Sequence, residues 1–331
     1  MNVWERSPLH LAVIEKDAHA VRELLNKGTF IDTTDHSDRT PLFYATQIDC
    51  WVIVKILVSR GASLDVTDKE GNTPLDCAIA HGHWNIAKLL VSKGADVNAQ
   101  DDAGRTKLIT ETINGGGNIK QLIELGANVK PCDTLGRTAL HWAAFHTNKT
   151  AAQHLLAAGA DVDAKDTLGR TALHWAARSK HWVVTQYLIA HKANCNETDN
   201  GGETPIWGAI MRNSFELVEL LIANGAAVDF KNTQGSTPLR CAIMHGMWDI
   251  VPYLMLKGAN IDAQVEEGHT ALSIEVINGN VNTIAKLLEL GADAEVADWT
   301  GKTPLQWAII GGDQEIVNWL SLRKIKKIRV Y

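Results

Sequence analysis

His10, His141 and His174 each directly follow a leucine, and imidazole is the side chain best suited to acid–base work or zinc ligation near neutral pH. Catalysis in a groove needs more than a histidine: a nucleophile beside a base, or two facing carboxylates, converging on one pocket. The sequence shows no such set. The three rings recur at one place in a repeated signature, where each can bond backbone groups of the adjoining loop. A shared zinc fails on reach, because stacked helices stand roughly 8–10 Å apart and a zinc–nitrogen bond spans about 2 Å. Cys50, Cys77, Cys132, Cys195 and Cys241 are odd in number and scattered, with no pair at the spacing of a zinc knuckle or redox motif. Reduced thiols are expected. The reading is therefore of no catalytic residue, no metal and no cofactor.

The elements that position these residues are repeats. Asp133 to Ala144 reads DTLGRTALHWAA, and Asp166 to Ala177 repeats the same twelve letters thirty-three residues later. Asp133 and Gly136 predict a turn, Thr138 a helix N-cap, and Leu140, Ala143 and Ala144 a small-residue helical face. Ser7, Thr40, Thr73, Thr106, Thr138, Thr171, Thr204, Thr237, Thr270 and Thr303 fall on one slot, with a single step one residue short before Thr138. Ten units follow, starting near residues 2, 35, 68, 101, 133, 166, 199, 232, 265 and 298. Gly28, Gly61, Gly94, Gly126, Gly159, Gly225, Gly258 and Gly291 are expected to close second helices in the left-handed conformation, with Lys192 in that place in repeat six.

Thr73-Pro74-Leu75 at a helix start and Gly94-Ala95-Asp96-Val97-Asn98-Ala99 at the unit's end resemble the ankyrin repeat, over nearly the whole chain. The resemblance implies an all-α fold: one elongated solenoid over residues 1–331 of helix-turn-helix units with β-hairpin fingers, ending in a basic tail or cap at 322–331. It also implies a non-enzymatic scaffold or adaptor that holds protein partners on a concave face made by the fingertips and the exposed side of the first helices. The alternative is the ankyrin segment of a membrane-associated anchoring, channel or toxin-like protein. Asp96 to Ala99, preceded by Leu90, is similar to the site that asparaginyl hydroxylase modifies in such repeats, which makes Asn98 the candidate.

On that implied face Arg39, Arg105, Arg137 and Arg170 occupy the slot before the repeat threonine, and Leu135 and Leu168 sit beside them in turns where polar residues are expected. The face also takes Phe145, His146, Arg178, Ser179, Met211 and Arg212. Arginine mixed with exposed Leu, Met and Phe is the composition of interface centres. An acidic, partly apolar partner segment fits it, and Arg137→Glu with Arg170→Glu is expected to abolish capture at nearly unchanged melting temperature. The other open reading is that Arg137 and Arg170 bond Asp133 and Asp166 within their own fingers. Tryptophans form two columns: Trp142, Trp175 and Trp307 on first helices, expected to pack between repeats, and Trp51, Trp84, Trp182 and Trp248 at the starts of second helices. The second column is either an aromatic ladder for a partner or a set of rings leaning on their neighbours. Trp4 is expected to cover the first finger.

A net charge of −6 with 21% charged and 45% hydrophobic residues is ordinary globular composition and implies no bulk affinity for nucleic acid. No stretch approaches eighteen apolar residues, and Met1 to Val13 lacks the apolar core of a signal peptide. A cytoplasmic monomer without a small-molecule substrate or membrane insertion is expected. The run Arg323 to Arg329 leaves nuclear import open, or a solvated helix end closed by Ile325 and Ile328. Repeat four departs most from the pattern, with Lys107, Glu111 and Gly115-Gly116-Gly117, and Glu275 echoes it in repeat nine. The two glutamates read either as an acidic notch or as side chains snorkelling to the groove.

Overall fold

The computed structural model describes residues 6–328, with side chains for 6–321. The expected roles of Trp4, Ile325 and Ile328 fall outside those residues. Among the described residues twenty α-helices follow one another in pairs, and no strand forms. The chain divides into two compact units, Met1–Ala143 with Thr150–Ala160, and Ala144–Lys149 with Asp161–Tyr331. No helix among the described residues is long and apolar enough to cross a membrane.

Each pair begins with a short helix opened by the predicted Ser or Thr. Thr40 accepts from the Phe43 amide at 3.2 Å, Thr237 from Arg240 at 3.2 Å, and proline at the first helical position gives up an amide that would have no partner. The second helix is longer, as in Trp51–Ser59 and Phe215–Ala223, and its buried Val, Ile and Leu recur at helical spacing. Repeat eight is the exception: its second helix, Ile250–Leu256, starts late, so that Pro252 lies in the first turn and Trp248 in the preceding turn. All eight predicted capping glycines have positive φ, and Lys192 takes the same conformation at φ 67.

The fingers are tight turns rather than β ladders. The first residue of the finger accepts two amides on one carboxylate or amide oxygen: Asp35 from Ser37 and Arg39, Asp101 from Ala103 and Arg105, Asp199 from Gly201 and Glu203, Asn232 from Gln234 and Ser236. This closes the turn so soon that only isolated bridges, Gln100 with Thr106 and Cys132 with Thr138, stand in for the expected hairpin. Neighbouring fingers are joined through backbone: Thr134 N to Ala103 O at 2.9 Å in the first unit, and Asn200 N to Leu168 O and Thr233 N to Gly201 O, both at 2.9 Å, in the second. Below the fingers an Asn or Asp side chain accepts an amide of the next repeat, as Asn98 does from Asn128 at 2.7 Å and Asn196 from Ala227 at 2.8 Å.

Neither reading holds for Glu275, which is buried, whereas Glu111 is half-buried. Glu111 accepts from the Asn118 side chain at 3.0 Å, and Glu275 accepts from Asn280 at 2.6 Å, so both carboxylates tie the inter-helix turn to the first helix. In repeat four Gly115 and Gly116 both have positive φ, 112 and 76, and the second helix shrinks to Ile119–Glu124. Gly116→Ala is therefore expected to destabilise by about 1–2 kcal/mol, the left-handed penalty of an L-residue, read as a shift in urea midpoint. Residues 106–130 are expected to exchange amide hydrogens fastest among the internal repeats, and uniform protection through them would refute this.

Candidate functional site

The finger aspartates organise the surface that the sequence singled out. Asp166 gives one oxygen to the amides of Leu168 and Arg170, and the other to Arg170 Nε at 3.0 Å and Trp175 Nε1 at 3.0 Å. The Arg170 guanidinium then lies 4.6 Å from the Trp175 ring centre. Asp133, Arg137 and Trp142 repeat the arrangement, with the guanidinium 4.3 Å from the ring; at Asp298 the Trp307 indole donates to the carboxylate and the Lys302 ammonium lies 5.1 Å from the ring, bonded to the Thr300 hydroxyl instead. Asp35, Arg39 and Tyr44 form the tyrosine version, the phenol donating to Asp35 at 2.7 Å. Burial alone would raise the Asp166 carboxyl, but the bonds from Arg170 and Trp175 outweigh it and hold the group below the usual carboxylate range.

Arg137 and Arg170 are thus engaged with their own fingers, and the first-helix tryptophans are the rings they cover. This corrects the expectation that reversing both charges leaves the melting temperature unchanged. Arg137→Glu with Arg170→Glu sets carboxylates against two buried aspartates and is expected to lower it by several degrees.

The histidines are structural. The Thr171 amide donates to His174 Nδ1 at 3.1 Å, which leaves Nε2–H to donate to the Glu203 carbonyl at 3.0 Å; His10 is held likewise between the Ser7 amide and the Arg39 carbonyl. Both rings are locked in the neutral tautomer, and burial lowers both pKa values despite the carbonyl bonds that raise them. Above the ordinary value of 6.5 folded and unfolded chains bind the same protons at these sites. Below it the unfolded chain takes up protons that the folded chain refuses, so stability is lost as pH falls from 6.5 through the folded values. A melting temperature flat from pH 8 to 7 and dropping towards pH 5 is the expected profile, less steep in His174→Gln. A drop of equal slope in that variant would remove His174 from the account. Burial also raises the Cys77, Cys195 and Cys241 thiols, Cys241 to about 12, and all five cysteines are free thiols. Among the described residues no three His, Cys, Asp or Glu side chains are grouped as a metal site requires.

Of the sequence-predicted face, Phe145, Arg170, Arg178, Met211 and Arg212 line one cavity of about 460 Å³ in the second unit. The Trp175 ring stands edge-on to Phe145 at 5.4 Å, and His146 packs on the other side of Phe145 at 5.1 Å. Leu168 is exposed at its fingertip in the same unit, outside the cavity. Arg105, Leu135 and Arg137 belong to the first unit, with Leu135 exposed and Arg105 paired to Asp101 at 2.8 Å. In the second Trp column, Trp51 and Trp182 are exposed, while Lys286 lies 4.5 Å from the Trp248 ring.

Two features escaped the sequence reading. Phe145, Arg178 and Met211 each stand seven residues after their repeat threonine, and the column runs on through Met244, Ile277 and Ile310. Phe145 is 42%, Met244 58%, Ile277 48% and Ile310 61% exposed, an apolar column at the ends of successive first helices. The second lies in repeat seven, where Glu203 and Gly208 occupy the slots held by Arg170 and Trp175 one repeat earlier, and Trp207 occupies that of His174. As a result Asp199 accepts only the two turn amides, and buried Thr204 Oγ1 and Trp207 Nε1 have no partner. A Cβ on Gly208 would stand 3.1 Å from the Arg178 amide nitrogen, so a larger residue there would push the two first helices apart.

A profile of three ankyrin repeats matches residues 9–101, 109–199, 183–265 and 249–329, and the chain belongs to the ankyrin repeat family. That family is in general a non-enzymatic module for interaction between proteins. No curated protein matches the chain.

Proposed function

We propose that this chain is a scaffold or adaptor without enzymatic activity that holds a partner protein across the fingertips and first helices of its second unit. The observation that carries the reading is the apolar column in which Phe145, Met244, Ile277 and Ile310 are exposed and Met211 is half-buried, where burying those side chains within the chain would have been the stable alternative. Leu168, Arg178 and Arg212 border it as the polar and apolar rim of a partner surface. His146 extends the proposed contacts within that unit, and Arg105, Leu135 and Arg137 are proposed as partner contacts of the first unit taken by itself, while Arg137 and Arg170 serve first to brace their own fingers. Asn98 is proposed as a modified position, checked by mass spectrometry of protein isolated from cells.

A photo-crosslinking residue placed at Met211 or Met244 is expected to capture one recurring partner in cells. The same residue at Leu256, exposed at the end of a second helix, is expected to capture none of it. Capture of that partner from Leu256 alone would move the binding surface to the second helices.

A further inference from the structure

We infer that the vacated slot of repeat seven is an arginine-binding site, filled by a guanidinium that a partner segment inserts beside apolar side chains. The inference rests on the partner-face reading above and names the chemistry recognised there.

The protein supplies its own template. Wherever a finger aspartate is followed nine residues on by a tryptophan or tyrosine, a cation four residues after that aspartate lies 4.3–5.1 Å from the ring centre, and in the three arginine cases it also pairs with the carboxylate. Repeat seven keeps the aspartate, Asp199, but has a second carboxylate, Glu203, where the cation belongs and Gly208 where the ring belongs. Asp199, Glu203 and Gly208 line the cavity of about 460 Å³, whose walls also include Trp175, Phe145 and Met211. Among the described residues Asp199 keeps one oxygen without a hydrogen-bond donor, and Thr204, one of the residues that line the cavity, has its buried Oγ1 without a partner. Burial and then the charge of Asp199 push the Glu203 carboxyl above its usual range, against Arg178 and Asn232, which pull it down. A guanidinium inserted there would meet both carboxylates while its stem packs on the aromatic wall.

Arg170, Arg178, Lys180 and Arg212 line the cavity too, and two of them are partly committed. Arg170 is paired with Asp166, and Arg212 donates from Nε to the Arg178 carbonyl at 3.0 Å. An acidic side chain seeking Arg178 or Arg212 is the rival occupant, and the test separates the two.

Fluorescent peptide pools, each with one fixed central residue among randomised Leu, Ala, Ser and Gly, are titrated against the full chain by anisotropy. The arginine pool is expected to bind about tenfold more tightly than the citrulline pool, which keeps the shape and loses the charge. Glu203→Arg restores the Asp–Arg pairing of the preceding finger and is expected to remove that preference without lowering the melting temperature. Glu203→Gln, which removes charge without filling the slot, is expected to reduce the preference as well and serves if the first variant does not fold. Equal binding of arginine and citrulline pools, tighter binding of a glutamate pool, or an undiminished preference in Glu203→Gln would overturn the inference. Persistence of the Met244 crosslink in Glu203→Arg would show that the partner face stands and only the arginine slot has failed; loss of crosslinks from both Met211 and Met244 in the unmodified chain would remove the face itself.

Discussion

Asp166→Ala is expected to cost about 3–5 kcal/mol, the price of removing one partner from a buried, hydrogen-bonded ion pair. The Asp166 side chain is 1% exposed and holds four donors: two backbone amides, the Arg170 guanidinium and the Trp175 indole. Alanine leaves the amides without their acceptor and a guanidinium at a site that water reaches poorly. Arg170→Ala should cost less, because the aspartate keeps its amides and its indole and the arginine side chain is already 22% exposed. Asp199→Ala is the sharper control, since it removes the same two turn amides and neither of the other donors. Urea midpoints at constant m-value measure all three. If Asp166→Ala and Asp199→Ala fall within 1 kcal/mol of each other, the Arg–Trp brace contributes nothing worth naming.

The second large effect is expected at a fingertip. Gly202 has φ +74, and a Cβ there would stand 2.8 Å from the Thr233 amide nitrogen of the next finger, whose hydrogen bond to Gly201 joins the two. Gly202→Ala therefore meets both the left-handed penalty, about 1–2 kcal/mol, and an overpacking cost of about 1–3 kcal/mol. Gly225, at φ +89, has nothing within 4 Å of the same added atom, so Gly225→Ala should show the backbone penalty alone. The difference between the two variants isolates the stacking of one finger on the next. Equal losses would mean that the fingers separate easily.

What could be read in the sequence was what a single repeat enforces on itself. Thr40, Thr237 and the capping glycines behave as their letters predict, because a helix end needs a side-chain acceptor or a left-handed residue wherever it occurs. The histidines were legible for the same reason. Arg137 and Arg170 were not: the same letters allow a side chain aimed outward at a partner or folded back on Asp133 and Asp166, and only the position of the tryptophan ring decides between them. Glu275 was misread because its acceptor need is met by Asn280, a residue with no signal of its own. The repeat-seven slot was visible in principle by aligning the units residue by residue. Its meaning still required knowing that Arg170 and Trp175 touch, so that losing both leaves the finger aspartate without its brace.

The backbone bonds between fingers bear on how such a chain grows. Thr233 joins Gly201 and Asn200 joins Leu168 through main-chain atoms, and each Asp-Arg-Trp brace is closed within its own repeat. A newly copied unit then joins its neighbour's finger without a matched fingertip side chain, and its fingertip letters can drift one at a time. The identical stretches at 133–144 and 166–177 have the form of such a copy before drift, and repeat seven the form of a copy after it. The fingertip surface of this chain can therefore change repeat by repeat, by losing a brace, while the main-chain bonds that join one finger to the next stay in place.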